Sequence, residues 1–121
     1  MAFISTDKSR RFGGFTTLPW DSPSSGTYKG NDPQAFIFSL DHQTKLTCNN
    51  QSSVIYCRNN YGVIFGGNDI YITDNLESNS GSNCSCYGKN EGITNKFYLT
   101  GNTNDIYFTP VEVEVYQVKI V

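Results

Sequence analysis

Residues 61–75 read YGVIFGGNDIYITDN, and the punctuation of this stretch decides the fold. The apolar run Val63-Ile64-Phe65 meets the glycine pair Gly66-Gly67. A second run, Ile70-Tyr71-Ile72, then ends at Asp74-Asn75. Glycine enters positive φ without steric cost, and Asn and Asp tolerate left-handed backbone. The stretch therefore reads as strand, forced turn, strand, and not as helix. Gly66, Gly67, Asn68 and Asp69 are expected to shape the turn, and Asp69 and Asp74 to serve as turn-and-cap residues at the two ends of the second strand. Those two carboxylates are five residues apart and point to opposite faces of an ideal strand, so they do not form an acid–base pair.

Working outward, strand signals dominate. Residues 2–6 form a short β run, and residues 8–11 (Lys-Ser-Arg-Arg) a polar turn. A strand is expected over 12–18, with Gly13 and Gly14 inside it. Interior glycines mark a bulge or the close approach of another backbone, so both join the structural turn residues. Residues 21–33 read as a polar loop. Residues 35–40 are apolar at nearly every position and predict a central strand buried on both faces. Strands follow over 45–48 and 53–57, then a long polar stretch over 75–95, then a short strand over 97–100. The clearest alternation is at 111–118: Val111, Val113 and Val115 on one face, Glu112, Glu114 and Tyr116 on the other. Parity then shifts to Val118 and Ile120, a sign of a bulge or of burial on both faces. No segment holds helical spacing over three turns. The pattern predicts a mainly β single domain spanning 1–121, a two-sheet antiparallel β-sandwich with short flanking helical turns.

Composition narrows the chemistry. The 121 residues carry 17% charged and 14% aromatic side chains and a net charge of −2. That balance gives no reason to expect a nucleic acid or an anionic membrane as partner. No apolar run approaches the length of a membrane span, and residues 1–5 lack the features of a signal peptide, so the expected location is cytoplasmic. Cys48, Cys57, Cys84 and Cys86 then read as reduced thiols. Neither pair has the spacing of a structural zinc site, and a Cys48–Cys57 hairpin disulfide is the alternative. His42 is the only histidine, in a turn-like stretch, and no Gly-x-Ser-x-Gly elbow or phosphate-binding loop is present. Glu112 and Glu114 share a strand face and read as solvated. No catalytic residue, cofactor or metal is expected. Lys8, Arg10 and Arg11 read as a solvated turn. The aromatics read mostly as core, with any exposed remnant a binding surface.

Four blocks, in order, resemble the TLDc domain family. Phe12-Gly13-Gly14-Phe15 with Pro19-Trp20 is similar to its "GG(Y/F)…PW" block, and residues 32–40 (DPQAFIFSL) to its "DP-AF-FSL" strand. Tyr61-Gly62, Phe65-Gly66-Gly67 and residues 69–75 resemble its "YGP-FGGG-D-YISDN" block, and Val113-Glu114-Val115-Tyr116 its terminal "IEVY" strand. Asn68 stands where the family has a third glycine and is expected to hold a left-handed turn; Val63 stands where it has proline. Complete members begin with a helical segment of some forty residues, so the resemblance implies a domain incomplete at its N-terminus. It also implies a non-catalytic module that binds or regulates the vacuolar proton-pumping ATPase (V-ATPase), or protects against oxidative stress. A structural role in a cytoskeletal or ciliary, microtubule-associated complex is the alternative. If the leading segment is absent, sheet surface near residues 2–6 and 12–18 is left uncovered, and Phe3, Phe12, Phe15 and Trp20 are the candidate interaction surface. A lectin-like sandwich, with Trp20, Tyr28 and the 75–95 loop as a sugar site, is the reading from a different class.

Overall fold

The computed structural model describes residues 1–20, 26–59, 61–73, 80–83, 85–103 and 106–116. The expectations placed on Asp74, Cys84, Val118 and Ile120, and on residues 75–79 of the polar stretch, lie outside the described residues. Among the described residues there are eleven strands and one 3-10 turn, Lys89–Glu91. Sheet A runs in the order β11-β1-β2-β4-β5, built from Pro110–Val115, Ala2–Thr6, Arg11–Phe15, Phe36–Ser39 and Thr44–Thr47. Sheet B runs β10-β9-β8-β7-β6-β3, from Tyr107–Phe108, Ser80–Gly81, Ile70–Thr73, Tyr61–Phe65, Ile55–Cys57 and Thr27–Lys29. Every strand pairing is antiparallel.

Alternation along the strands builds the core. Successive side chains point to opposite faces, and β1, β4 and β8 alternate between buried and half-buried positions. Ala2, Ile4, Phe12 and Ile37 of sheet A share one buried cluster with Ile55, Phe65, Ile70 and Ile72 of sheet B. Phe12 meets Phe108 edge-on at 5.2 Å, and Phe65 meets Trp20 in the same way at 5.3 Å. Such pairs add roughly 0.5–1.5 kcal/mol beyond area burial.

Gly13 and Gly14 turn nothing. Their register with β1 and β4 runs without a break, so there is no bulge. What requires glycine is close approach. A Cβ on Gly13 would strike the Ala2 carbonyl and lie 2.7 Å from the Phe38 ring, and one on Gly14 would lie 2.7 Å from the Phe65 ring. The strand expected over 35–40 forms over Phe36–Ser39 inside sheet A, but only one face is fully buried; Phe36 and Phe38 on the other face are half-buried. In β11 Val113 is half-buried, whereas Val111 and Val115 are exposed. The strand sits at the sheet edge, and Val113 alone of the three valines packs against the core.

Three expectations about connections are corrected. The polar loop over 21–33 contains β3, and the 75–95 stretch contains β9, the 3-10 turn and an antiparallel bridge between Cys48 and Tyr87. Residues 97–100 form turns and not a strand: Tyr98 N–H bonds Asn95 O, and Gly101 N–H, at φ 71°, bonds Phe97 O.

Candidate functional site

The β7–β8 corner is built around Gly66 and Asp69. Gly66 has φ 62°, and a Cβ there would strike the Asp69 carboxylate. Gly67 and Asn68 do not take the expected left-handed conformation; positive φ in this corner is confined to Gly66. Asp69 N–H closes the turn on Phe65 O at 3.1 Å.

Asp69 does more than cap. Its side chain is fully buried and accepts hydrogen bonds from Ser85 N–H (2.8 Å), Ser85 Oγ–H (3.0 Å), Cys86 N–H (2.9 Å) and Tyr87 N–H (3.0 Å). Burial pushes this carboxyl above the usual carboxylate range, against the pull of those donors. Ser82 Oγ–H bonds Asp69 O at 2.7 Å. Residues 85–91 form a strap that also reaches sheet A. Asn49 N–H bonds Cys86 O (2.8 Å), Gly88 N–H bonds Thr47 O (3.2 Å), and Glu91 accepts from Thr47 N–H (3.0 Å) and Thr47 Oγ–H (2.8 Å). The strap thereby caps the Thr47 end of the free edge of β5, an edge that an exposed sheet otherwise offers to other chains. Tyr87 Oη–H bonds Val54 O at 2.7 Å, and burial raises its pKa far above the usual phenol value. A second carboxylate, Asp32, ties the start of the "DP" strand to residues 16 and 17 by bonds from Thr16 Oγ–H (2.6 Å) and Thr17 N–H (2.8 Å). Burial alone would raise its pKa; the donors from Thr16, Thr17 and Gln34 hold it below the usual range.

The outer face of sheet A carries an aromatic field. One row crosses all five strands: Glu114 (β11), Phe3 (β1), Gly13 (β2), Phe38 (β4), Lys45 (β5). Because Gly13 has no side chain, the Phe3 and Phe38 rings meet at 5.4 Å. Phe36 and Phe15 extend the field, and Lys45 Nζ sits 4.5 Å from the centre of the Phe36 ring. Tyr116 flanks Phe3 at 6.0 Å and is 51% exposed; Leu40 is 44% exposed. A cleft of about 190 Å³ opens here between Phe3, Leu40, Arg11, Glu112 and Glu114. Glu114 accepts from Tyr116 Oη–H at 2.6 Å. Hydrogen bonding to Glu114 and its charge push the Glu112 carboxyl up, whereas the Tyr116 and Glu112 donors hold Glu114 down. Arg11 is engaged with Asp41 at 3.5 Å, and no basic side chain pairs with either glutamate among the described residues.

Of the four residues expected at an interaction surface, Phe3 and Phe15 are on this face. Phe12 is not: it is fully buried in the core. Trp20 packs inward on Phe65, while Tyr28 is 52% exposed and stacks on Tyr56 at 4.5 Å on sheet B. Trp20 and Tyr28 therefore do not share the surface the lectin-like reading needs. His42 stacks on Tyr98 at 4.2 Å, with Nε2 3.1 Å from Tyr98 O. Cys48, Cys57 and Cys86 are free thiols. Cys48 and Cys57 cannot face each other across a hairpin, because Cys48 follows β5 of sheet A and Cys57 belongs to β6 of sheet B. Burial pushes the Cys48 thiol up. Among the described residues no group of three or more His, Cys, Asp or Glu is placed to hold a metal, and no helix is long and apolar enough to cross a membrane.

These features define an antiparallel β-sandwich whose glycines and buried carboxylates hold a framework, with an aromatic face on one sheet. The chain belongs to the TLDc domain family, whose family model matches residues 1–119. Comparison with curated proteins and with solved structures finds no match. Asp69 stands in the family-like block, but its grip on residues 85–87 was invisible in the sequence. The pairing joins a turn to a polar segment 16 residues on, and no local pattern encodes it.

Proposed function

We propose that this chain is a non-catalytic protein-interaction module of the TLDc type, docking its partner on the outer face of sheet A. The supporting observation is the phenylalanine field beside Glu112 and Glu114. Phenylalanine has no polar group to satisfy in water, and contiguous apolar surface on a folded domain marks interaction sites. Two adjacent carboxylates without a basic partner among the described residues select a partner that brings Lys or Arg to that edge. In this proposal the partner is a subunit of the vacuolar proton-pumping ATPase, the setting is cytoplasmic, and the role is protection from oxidative stress, as the family resemblance implies. A cytoskeletal assembly is the competing partner.

The test uses exposed positions, so that the fold is spared. Binding of the chain to purified proton-pump subunits and to microtubules is measured for the wild type, Leu40→Glu and Glu112→Lys. The expected result is binding to the pump subunits alone, weakened at least about tenfold by each substitution, about 1.4 kcal/mol, with the thermal midpoint unchanged. Equal binding by all three proteins removes the assigned face. Binding to microtubules alone removes the assigned partner.

A further inference from the structure

Sheet B carries its own aromatic row, and it is made of tyrosine. Tyr107 (β10) pairs with Gly81 (β9), Gly81 with Tyr71 (β8), and Tyr71 with Ile64 (β7). One step from the Ile55–Phe65 pair, Tyr56 (β6) comes opposite Ile64, and Tyr56 pairs with Tyr28 (β3). Ile64 is 3% exposed yet lies outside the central core cluster, where its neighbours Val63 and Phe65 belong. It forms the floor of a cleft of about 190 Å³ on the outer face, walled by Tyr56, Tyr61 and Tyr71. Arg58 stands at the cleft with its guanidinium 5.6 Å from the centre of the Tyr61 ring.

The Tyr56 and Tyr71 phenols lean away from this floor, over Gly26 and Gly81, which leaves it open, and the charged group at the cleft is the Arg58 guanidinium, with no carboxylate partner among the described residues. No described carboxylate lines the cleft. The double-glycine corner supplies the remaining wall through Gly67 and Asn68. Gly67 needs no positive φ, and a Cβ there would meet only the Tyr28 ring and hydroxyl, at 3.2 Å and beyond. Backbone strain does not require glycine at this position.

We propose that this cleft binds a carboxylate carried on a compact apolar body. The carboxylate takes the Arg58 guanidinium, and the apolar part rests on Ile64 between the tyrosine rings. One guanidinium matches a carboxylate through two parallel N–H···O bonds. A phosphate dianion or a nucleic acid backbone calls for more positive charge than a single arginine supplies. The carboxylate comes either from a free acid or from the C-terminus of a peptide ending in an apolar residue. The site lies on the opposite sheet from the proposed docking face and does not depend on it.

The test is an NMR titration of the full ¹⁵N-labelled chain with N-acetyl-leucine, N-acetyl-leucine amide, and a hexapeptide ending in leucine with a free or amidated C-terminus. A Kd of about 1 mM is expected for an acid of about a dozen non-hydrogen atoms, with shifts centred on Arg58, Tyr61, Ile64 and Tyr71. Both amides should bind at least about tenfold more weakly, and Arg58→Gln should weaken the acids by about tenfold or more. Tighter binding of the peptide acid than of N-acetyl-leucine assigns the ligand to a chain terminus. Binding of N-acetyl-leucine alone assigns it to a free acid, and both results support the site. Equal binding of acid and amide, no change in Arg58→Gln, shifts centred elsewhere, or no binding by either acid overturns it.

Discussion

Replacing Asp69 should cost a large share of this domain's stability, and the loss can be worked from its partners. In Asp69→Ala the N–H groups of Ser85, Cys86 and Tyr87 and the Ser85 hydroxyl lose their acceptor. Ser85 is exposed, so water takes its two donors; Tyr87 is buried, and its N–H is left without a partner. A stranded buried donor costs about 1–3 kcal/mol, and the charge-assisted bonds lost with it about as much again. With the small cavity the sum is roughly 3–5 kcal/mol, against roughly 6–18 kcal/mol for a domain of this length. Asp69→Asn keeps the volume and one acceptor oxygen but turns an NH2 toward N–H donors, and should cost about 2–4 kcal/mol. Urea unfolding followed by tryptophan fluorescence reads both, since Trp20 packs on Phe65 four residues away in sequence from Asp69. The Asp69→Ala midpoint should fall by about 2 M or more. Ser85→Ala, which removes one exposed hydroxyl, should cost less than about 1 kcal/mol. If Asp69→Asn unfolds within about 0.5 kcal/mol of the wild type, the carboxylate is not what holds residues 85–87.

Gly66→Ala should destabilise by about 2 kcal/mol or more, from its left-handed φ and the collision with the Asp69 carboxylate, whereas Gly67→Ala should cost less than about 1 kcal/mol; thermal melts of the two separate them. The stability supplied by Asp32 should be full above the unfolded carboxyl pKa of about 3.9 and lost as pH falls through its lower folded value. Asp32→Asn should therefore flatten the acid limb of a plot of urea midpoint against pH, and an unchanged limb counts against the Thr16–Asp32 tie. Phe12→Ala should cost about 3–5 kcal/mol by chemical denaturation, because its ring is fully buried against Phe108. Phe15→Ala, on the outer face, should cost less than about 2 kcal/mol in the same assay.

Long and regular elements were legible in the sequence, and of the shortest strands only β6, Ile55–Cys57, was. The 61–73 hairpin, the 35–40 strand and the alternation at 111–115 all declare themselves through apolar periodicity. Strands β3, β9 and β10 are two or three residues long, too short to show a period, and they exist because a neighbour is already in place to pair with. The run Phe97-Tyr98-Leu99-Thr100 looks like a strand, but Asn95 and Gly101 bend it at both ends. Burial was read less well than conformation. Phe12 and Phe15 belong to one strand and look alike in sequence, yet the alternation sends one inward and the other out. The two aromatic rows depend on register across five or six strands, which no single segment contains.

The Asp69 clasp recognises main chain and almost nothing else. Three of its four donors are peptide N–H groups, and every residue type but proline supplies one. The letters at 85 and 86 are accordingly free to change while the aspartate and the backbone path of the strap are not. The long polar segment can then diverge between proteins of this architecture, carrying different surface chemistry over the same closed end of the sandwich. One carboxyl in this place can hold straps of different sequence, and likeness sought in the strap itself would overlook what they share.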